Sequence, residues 1–115
     1  MKKFLVLYLM PVAGLEKWKN TDPAITKPAE EKMRMEWGNW MRAHAAHIIE
    51  TAGAGKTKRV TSEGIVDTKN ELMLYSLMEA ESHEAAAELF KDNPHLQIPE
   101  SSIEIMEANV LPLMH

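Results

Sequence analysis

The sequence contains no cysteine. Disulfides, thiol nucleophiles and cysteine-ligated zinc are therefore excluded, and the composition suits a reducing, cytoplasmic setting. Long apolar runs are missing as well. No stretch approaches the ~20 residues that a membrane-spanning helix needs. Basic charge is in deficit, with 13 Lys and Arg against 17 Asp and Glu and a formal net charge of −4. A nucleic-acid binder usually presents a basic face, so this balance argues against one. No Gly-x-Ser-x-Gly or His-Glu-x-x-His motif occurs, and no internal repeat or low-complexity segment stands out. "GAGKT" at 53–57 has the end of a P-loop only. Glu50 stands where the first glycine belongs, and a predicted helix precedes it where a strand should.

The 115 residues suit one domain, 1–115. A chain this long buries roughly two thirds of its unfolded surface, enough for a core without staples. The start, "MKKFLVLYLMPVAG", has the lysines and apolar run of a signal peptide. That run, Phe4 to Met10, is only seven residues long, and no Ala-x-Ala-like cleavage site follows. A buried first strand over 2–10 is the better expectation. Phe4, Val6, Tyr8 and Met10 would line one face, with Leu5, Leu7 and Leu9 on the other.

Residues 11–27 read as a long connection that contains Trp18, which would cover a core edge. Loops of this length often line sites. "KPAEEKMRMEWGNWMRAHAAHIIETAG", 27–53, is the main predicted helix. Pro28 suits its first turn, Glu30 and Glu31 the positive end of its dipole, and Gly53 its stop. Met33, Trp37, Trp40, Met41, His44 and Ile48 form one stripe at helical spacing. Gly38 within it suggests a close approach. "KTKRVTSEGIV", 56–66, reads as an exposed edge strand guarded by Lys56, Lys58 and Arg59. "ELMLYSLMEAE", 71–81, is a strand apolar on both faces. Ser82 then caps a second helix running to about Lys91, which Pro94 closes off. "NPHLQIPES" is a loop and "SIEIMEANV" the last strand.

This order, β-α-β-β-α-β, predicts an α+β fold with a four-stranded antiparallel sheet and both helices on one face. The two central strands are apolar on both faces, yet two helices cover only one. The simplest cover for the other face is a second copy, sheet against sheet.

Several segments carry a family likeness: "MKKFLVLYLMP", "EWGNWMRAHAAHII", "GKTKRVTSEGIVD", "YSLMEAESHEAAAELFKDNPHL" and "SIEIMEA". On these the chain resembles the YCII-related family of dimeric α+β barrel proteins. It stands as a side branch. Leu74 replaces a glycine common before the tyrosine, and Asp67-Thr68-Lys69 stands where one large branch has Asp-Gly-Pro-Phe. The resemblance implies a ferredoxin-like fold and a sheet-to-sheet homodimer. It also implies that a His–Asp pair, here His44 and Asp67, performs acid–base elimination or related chemistry on a small molecule.

The residues themselves frame the choice of site. A histidine facing a sheet must find a hydrogen-bond partner or stay neutral. His44 falls within the tryptophan stripe and His47 at its border. Each reads either as a core imidazole bonded to a backbone carbonyl or to Tyr75, or as a proton-transferring or ligand-touching group. A metal clip of His44, His47 and Glu50 is weaker, because three ligands spaced by three drift around a helix, and a further ligand such as His95 would be required. Trp37, Trp40 and Met41 form an apolar wall that is either core or pocket lining. His95 is either a loop anchor or a polar group at the pocket mouth; His83 and His115 read as solvated. The expectation is a homodimer that binds a small aromatic or hydrophobic metabolite. Tyr8, Trp37, Trp40, Met41, His47, Tyr75 and His95 would make contact, with His44 and Asp67 catalytic and no cofactor, metal, nucleic acid or membrane involved. The alternatives are a non-catalytic binding module and a monooxygenase-like barrel, with or without haem.

Overall fold

The computed structural model describes residues 1–112; His115 lies outside the described residues. Strand β1 is Lys2–Leu9 and β5 is Leu72–Ala80, and they pair antiparallel from Lys2 opposite Ala80 to Leu9 opposite Leu72. β6, Ser102–Glu107, flanks β1, and β2, Ile48–Gly53, flanks β5. The four-stranded antiparallel sheet has the order β2-β5-β1-β6. Its two central strands are the two that are apolar on both faces.

Helices α2, Pro23–Ala43, and α3, His83–Glu88, cover one face. Phe4, Val6, Tyr8 and Met78 point into that layer and are fully buried, against Trp40, Ala86 and Phe90. Each large side chain removed from water contributes roughly 1.5–3 kcal/mol. The alternate set on β1 and β5, among them Leu5, Leu7, Tyr75 and Leu77, faces away and is only half buried. No helix of the described chain covers it. The fold is therefore α+β and ferredoxin-like, with one open apolar sheet face. No helix among the described residues is long and apolar enough to cross a membrane.

Several expectations need correction. Residues 11–27 are not an unstructured connection. They hold α1, Val12–Lys19, and the first turns of α2, which Asp22 caps by accepting from the Ala24 N–H at 2.9 Å, with Pro23 at the first helical position. Pro28 thus lies inside the helix rather than at its start. Trp18 is exposed on α1, and its indole N–H donates to Glu30 at 3.0 Å.

The predicted helix also stops early. His44 is its C-cap, and the chain turns before β-branched Ile48, Ile49 and Thr51 enter β2. Gly53 therefore ends a strand and not a helix. Gly38 marks no close approach, since a Cβ there would meet only the Arg42 side chain, at 3.4 Å.

Finally, 56–66 is not a strand of the main sheet. It forms most of a separate two-stranded hairpin, β3 (Thr57–Thr61) and β4 (Gly64–Thr68), joined by a turn at Ser62 and Glu63, with Gly64 at φ +138° opening β4. This arm is inserted between β2 and β5. The sheet still follows the β-α-β-β-α-β order, with 48–53 in the second strand's place.

Candidate functional site

The sheet's helix-facing side carries an unusual run of hydroxyls. Tyr8 on β1 and Ser76 on β5 lie diagonally across the ladder, Tyr8 opposite Leu74 and Ser76 opposite Val6, and Thr51 on β2 pairs with Ser76. Their oxygens form a chain: Tyr8 to Ser76 at 2.8 Å, and Ser76 to Thr51 at 2.7 Å. Tyr8 and Ser76 are fully buried, whereas Thr51 is half buried and approaches the Met41 sulfur at 4.0 Å. Burial pushes the Tyr8 hydroxyl up to about 12 despite the opposing hydrogen bond to Ser76. It is a neutral hydrogen-bonding group, not a phenolate.

Above the hydroxyls lies an aromatic layer from α2. Trp37 meets Tyr8 edge-on at 5.3 Å and Trp40 at 5.9 Å; Trp40 packs on Phe90 at 5.0 Å and on His44 at 4.5 Å. Trp40 is 6% exposed, yet its indole N–H has no partner. A buried donor left unpaired costs about 1–3 kcal/mol, so it marks a place where an acceptor would be welcome. Trp37, Met41, His44 and Thr51 are all half buried around it.

The histidines divide sharply. His47 Nδ1 lies 3.0 Å from the Glu79 carbonyl, where it pins the irregular start of β2 to β5. His95 is buried, its Nε2 2.8 Å from the Leu9 carbonyl, and its backbone N–H bonds the Asn93 side chain at 2.9 Å. Burial pulls its pKa below the ordinary imidazole value, against the pull of the Leu9 and Ser102 backbone. His83 Nε2 is 2.7 Å from the Ile105 carbonyl, and its ring stacks on Phe4, so it is less free than its exposure suggests. Each of these rings is anchored by a backbone carbonyl. Among the described residues only the His44 ring has no hydrogen-bond partner, and it rests on Trp40 at the end of α2.

The structure therefore brings together Tyr8, Trp37, Trp40, Met41 and His44, and places the anchored His95 edge-on to Tyr8 at 5.7 Å. His47 is a backbone anchor nearby. Tyr75 is on the opposite sheet face, paired between Leu7 and Ala52. Asp67 is far from His44. It lies on the arm beyond the other end of β2, its exposed carboxylate 2.6 Å from Lys58. A strand of six residues, ~17 Å at 3.3 Å per residue, intervenes. The proposed His44, His47 and Glu50 clip has lost its helix, since Glu50 is on β2. No three potential ligand side chains cluster among the described residues. The sequence reading missed Ser76 and Thr51. Two hydroxyls on adjacent strands, each beside an apolar partner, could have revealed them once 48–53 was taken as a strand.

A separate concavity lies elsewhere. An open cleft of about 910 Å³ lies between α1, the arm and the end of β5, lined by Leu15, Glu16, Lys19, Lys56 and Asp67 among others. Lys69 holds Glu16 at 2.7 Å, which keeps that carboxyl below its usual range. Two ion pairs, Lys58 with Asp67 and Lys69 with Glu16, line the cleft. It has no unpaired buried donor of the kind found at Trp40.

No protein-family model matches the chain, and no curated protein does. Among solved structures the chain is similar to a 5-chloro-2-hydroxyhydroquinone dehydrochlorinase from Burkholderia phenoliruptrix AC1100, determined in complex with 2,5-dihydroxybenzoquinone. The two are 12% identical, the match covers 95% of this chain and 94% of that one, and the TM-score is 0.54. This likeness is one of fold. It agrees with the ferredoxin-like α+β architecture of the chain.

Proposed function

We propose that this protein is a cytoplasmic homodimer, a side branch of the YCII-related family, that binds a small aromatic compound beside α2 and moves a proton with His44. The single observation that carries the reading is the pairing of an imidazole free of hydrogen bonds with an unpaired, buried indole N–H on its stacking partner, Trp40. An oxygen on a flat ligand would satisfy Trp40. His44 would then sit within reach of the ligand's ring substituents, in position to take or give a proton. Trp37 and Met41 would supply the apolar wall, and the Thr51–Ser76–Tyr8 chain a fixed polar floor. Asp67 has no part in this reading because Lys58 engages it. The open sheet face, lined by Leu5, Leu7, Tyr75 and Leu77, supports pairing with a second copy.

A hydroxylated quinone is a fitting probe, since the dehydrochlorinase of similar fold was determined with one. Titration with 2,5-dihydroxybenzoquinone should quench tryptophan fluorescence. His44→Phe keeps the stacking on Trp40 and should weaken binding at least tenfold, about 1.4 kcal/mol. Equal affinity in the variant would remove His44 from the site. No quenching in either protein would end the aromatic-ligand reading.

A further inference from the structure

Much of the β3–β4 arm is exposed among the described residues. Val60, Ile65 and Val66 are 73%, 67% and 55% exposed. Lys58 pairs across the arm with Asp67 and Val60 with Ile65, while Arg59 and Val66 share the other face. Apolar groups on both faces are therefore in water. A lone two-stranded hairpin is marginal in water, and without a buried face its register is weakly held. The chain is also expanded. Its radius of gyration is 16.3 Å, against about 13 Å for a globular domain of this length, and it measures 50 × 45 × 19 Å.

Charge identifies what would cover the arm. Residues 56–69 hold Lys56, Lys58, Arg59 and Lys69 against Glu63 and Asp67, a net charge of +2. Residues 79–107 hold eight acidic side chains against one basic, Lys91. That acidic stretch contains β6, the edge strand farthest from β2. The arm leaves the sheet at the β2 edge, so its own β6 lies across the full width of the sheet.

We infer that the arm is an exchange element: in a dimer each arm reaches over the acidic β6 edge of the other copy, toward the partner's Glu100 and Glu104. The inference rests on the sheet-to-sheet pairing proposed above and adds its geometry. A two-fold axis parallel to the strands lays the β2 edge of one copy over the β6 edge of the other. The axis at right angles to this would lay β2 over β2 and leave each arm at the partner's β2 edge, across the sheet from the partner's β6. Only the first arrangement brings the basic arm to the acidic β6 edge, and opposite charge favours it.

Zero-length carbodiimide cross-linking of an equimolar mixture of ¹⁴N and ¹⁵N protein tests it. Mass spectrometry should find mixed-isotope links from Lys56 or Lys58 to carboxylates within 79–107, in a species that light scattering reports as a dimer. Arg59→Glu should raise the dimer dissociation constant at least tenfold and weaken its salt dependence. A dimer whose arm lysines link only within one chain, or whose affinity ignores Arg59→Glu, overturns the arm and leaves the sheet pairing standing. A monomer at micromolar concentration overturns both.

Discussion

Ser76→Ala removes the middle of the hydroxyl chain. Ser76 is fully buried, and its oxygen lies 2.8 Å from the Tyr8 hydroxyl and 2.7 Å from that of Thr51. Thr51 is half buried and can turn to water. Tyr8 cannot; it is fully buried and has no other hydrogen-bond partner among the described residues. The substitution therefore strands one phenol, at a cost of about 1–3 kcal/mol. Tyr8→Phe deletes that phenol and leaves Ser76 bonded to Thr51, so it should cost only about 0.5–1.5 kcal/mol. In the double variant no phenol is stranded, and the combined loss should fall short of the sum by roughly 1 kcal/mol. Urea unfolding at one fixed protein concentration measures all three. With a slope of about 1–3 kcal/mol per molar, a 2 kcal/mol loss moves the midpoint by about 1 M. The slope itself should not change. Additive losses, or a Ser76→Ala loss no larger than that of Tyr8→Phe, would refute the view that these hydroxyls satisfy one another.

Two further outcomes follow from the site. His95 holds its proton less tightly when folded than when unfolded, so the unfolded chain binds more protons as pH falls through about 6.5. Native stability should drop over that range with a slope of up to about 1.4 kcal/mol per pH unit, and His95→Gln should flatten it; an unchanged slope would show that His95 contributes none of it. Asp67→Asn should change binding of 2,5-dihydroxybenzoquinone by less than twofold, because its carboxylate is engaged by Lys58 and sits beyond the far end of β2; a tenfold loss in the same titration would restore it to the site.

Sequence made the sheet legible where burial is two-sided. β1 and β5 could be nothing but central strands, because apolar residues fill both alternating sets, and the open face follows from having too few helices. Ser82 was readable for an equally local reason, since a serine before an alanine-rich run can satisfy the Ala85 N–H, as it does at 3.1 Å. The stretch from His44 to Gly53 was harder. Ala45 and Ala46 favour helix, and His44 and Ile48 extend the apolar period, so local preference points one way and pairing with β5 decides the other. The Asp22-Pro23 start of α2 was a usable signal that the later Pro28 masked. The arm misled because its charged, alternating residues suit any edge strand, and nothing local says which sheet the strand joins.

For the site, the tryptophan stripe and the conflict at His44 were both visible in the residues. The anchoring of His47 and His95 was not, since the carbonyls of Glu79 and Leu9 lie 32 and 86 residues away in sequence. The same distance hid the Tyr8–Ser76–Thr51 chain. Long-range partners of this kind exist only once strand register is known.

A crystal structure of the protein grown with 2,5-dihydroxybenzoquinone tests ligand binding at Trp40 and His44 most directly. Density for the ring should lie beside α2, with one oxygen within hydrogen-bond distance of Trp40 Nε1 and another facing the His44 imidazole. Ring density confined to the cleft between α1 and the arm, with Trp40 still unpaired, would contradict it.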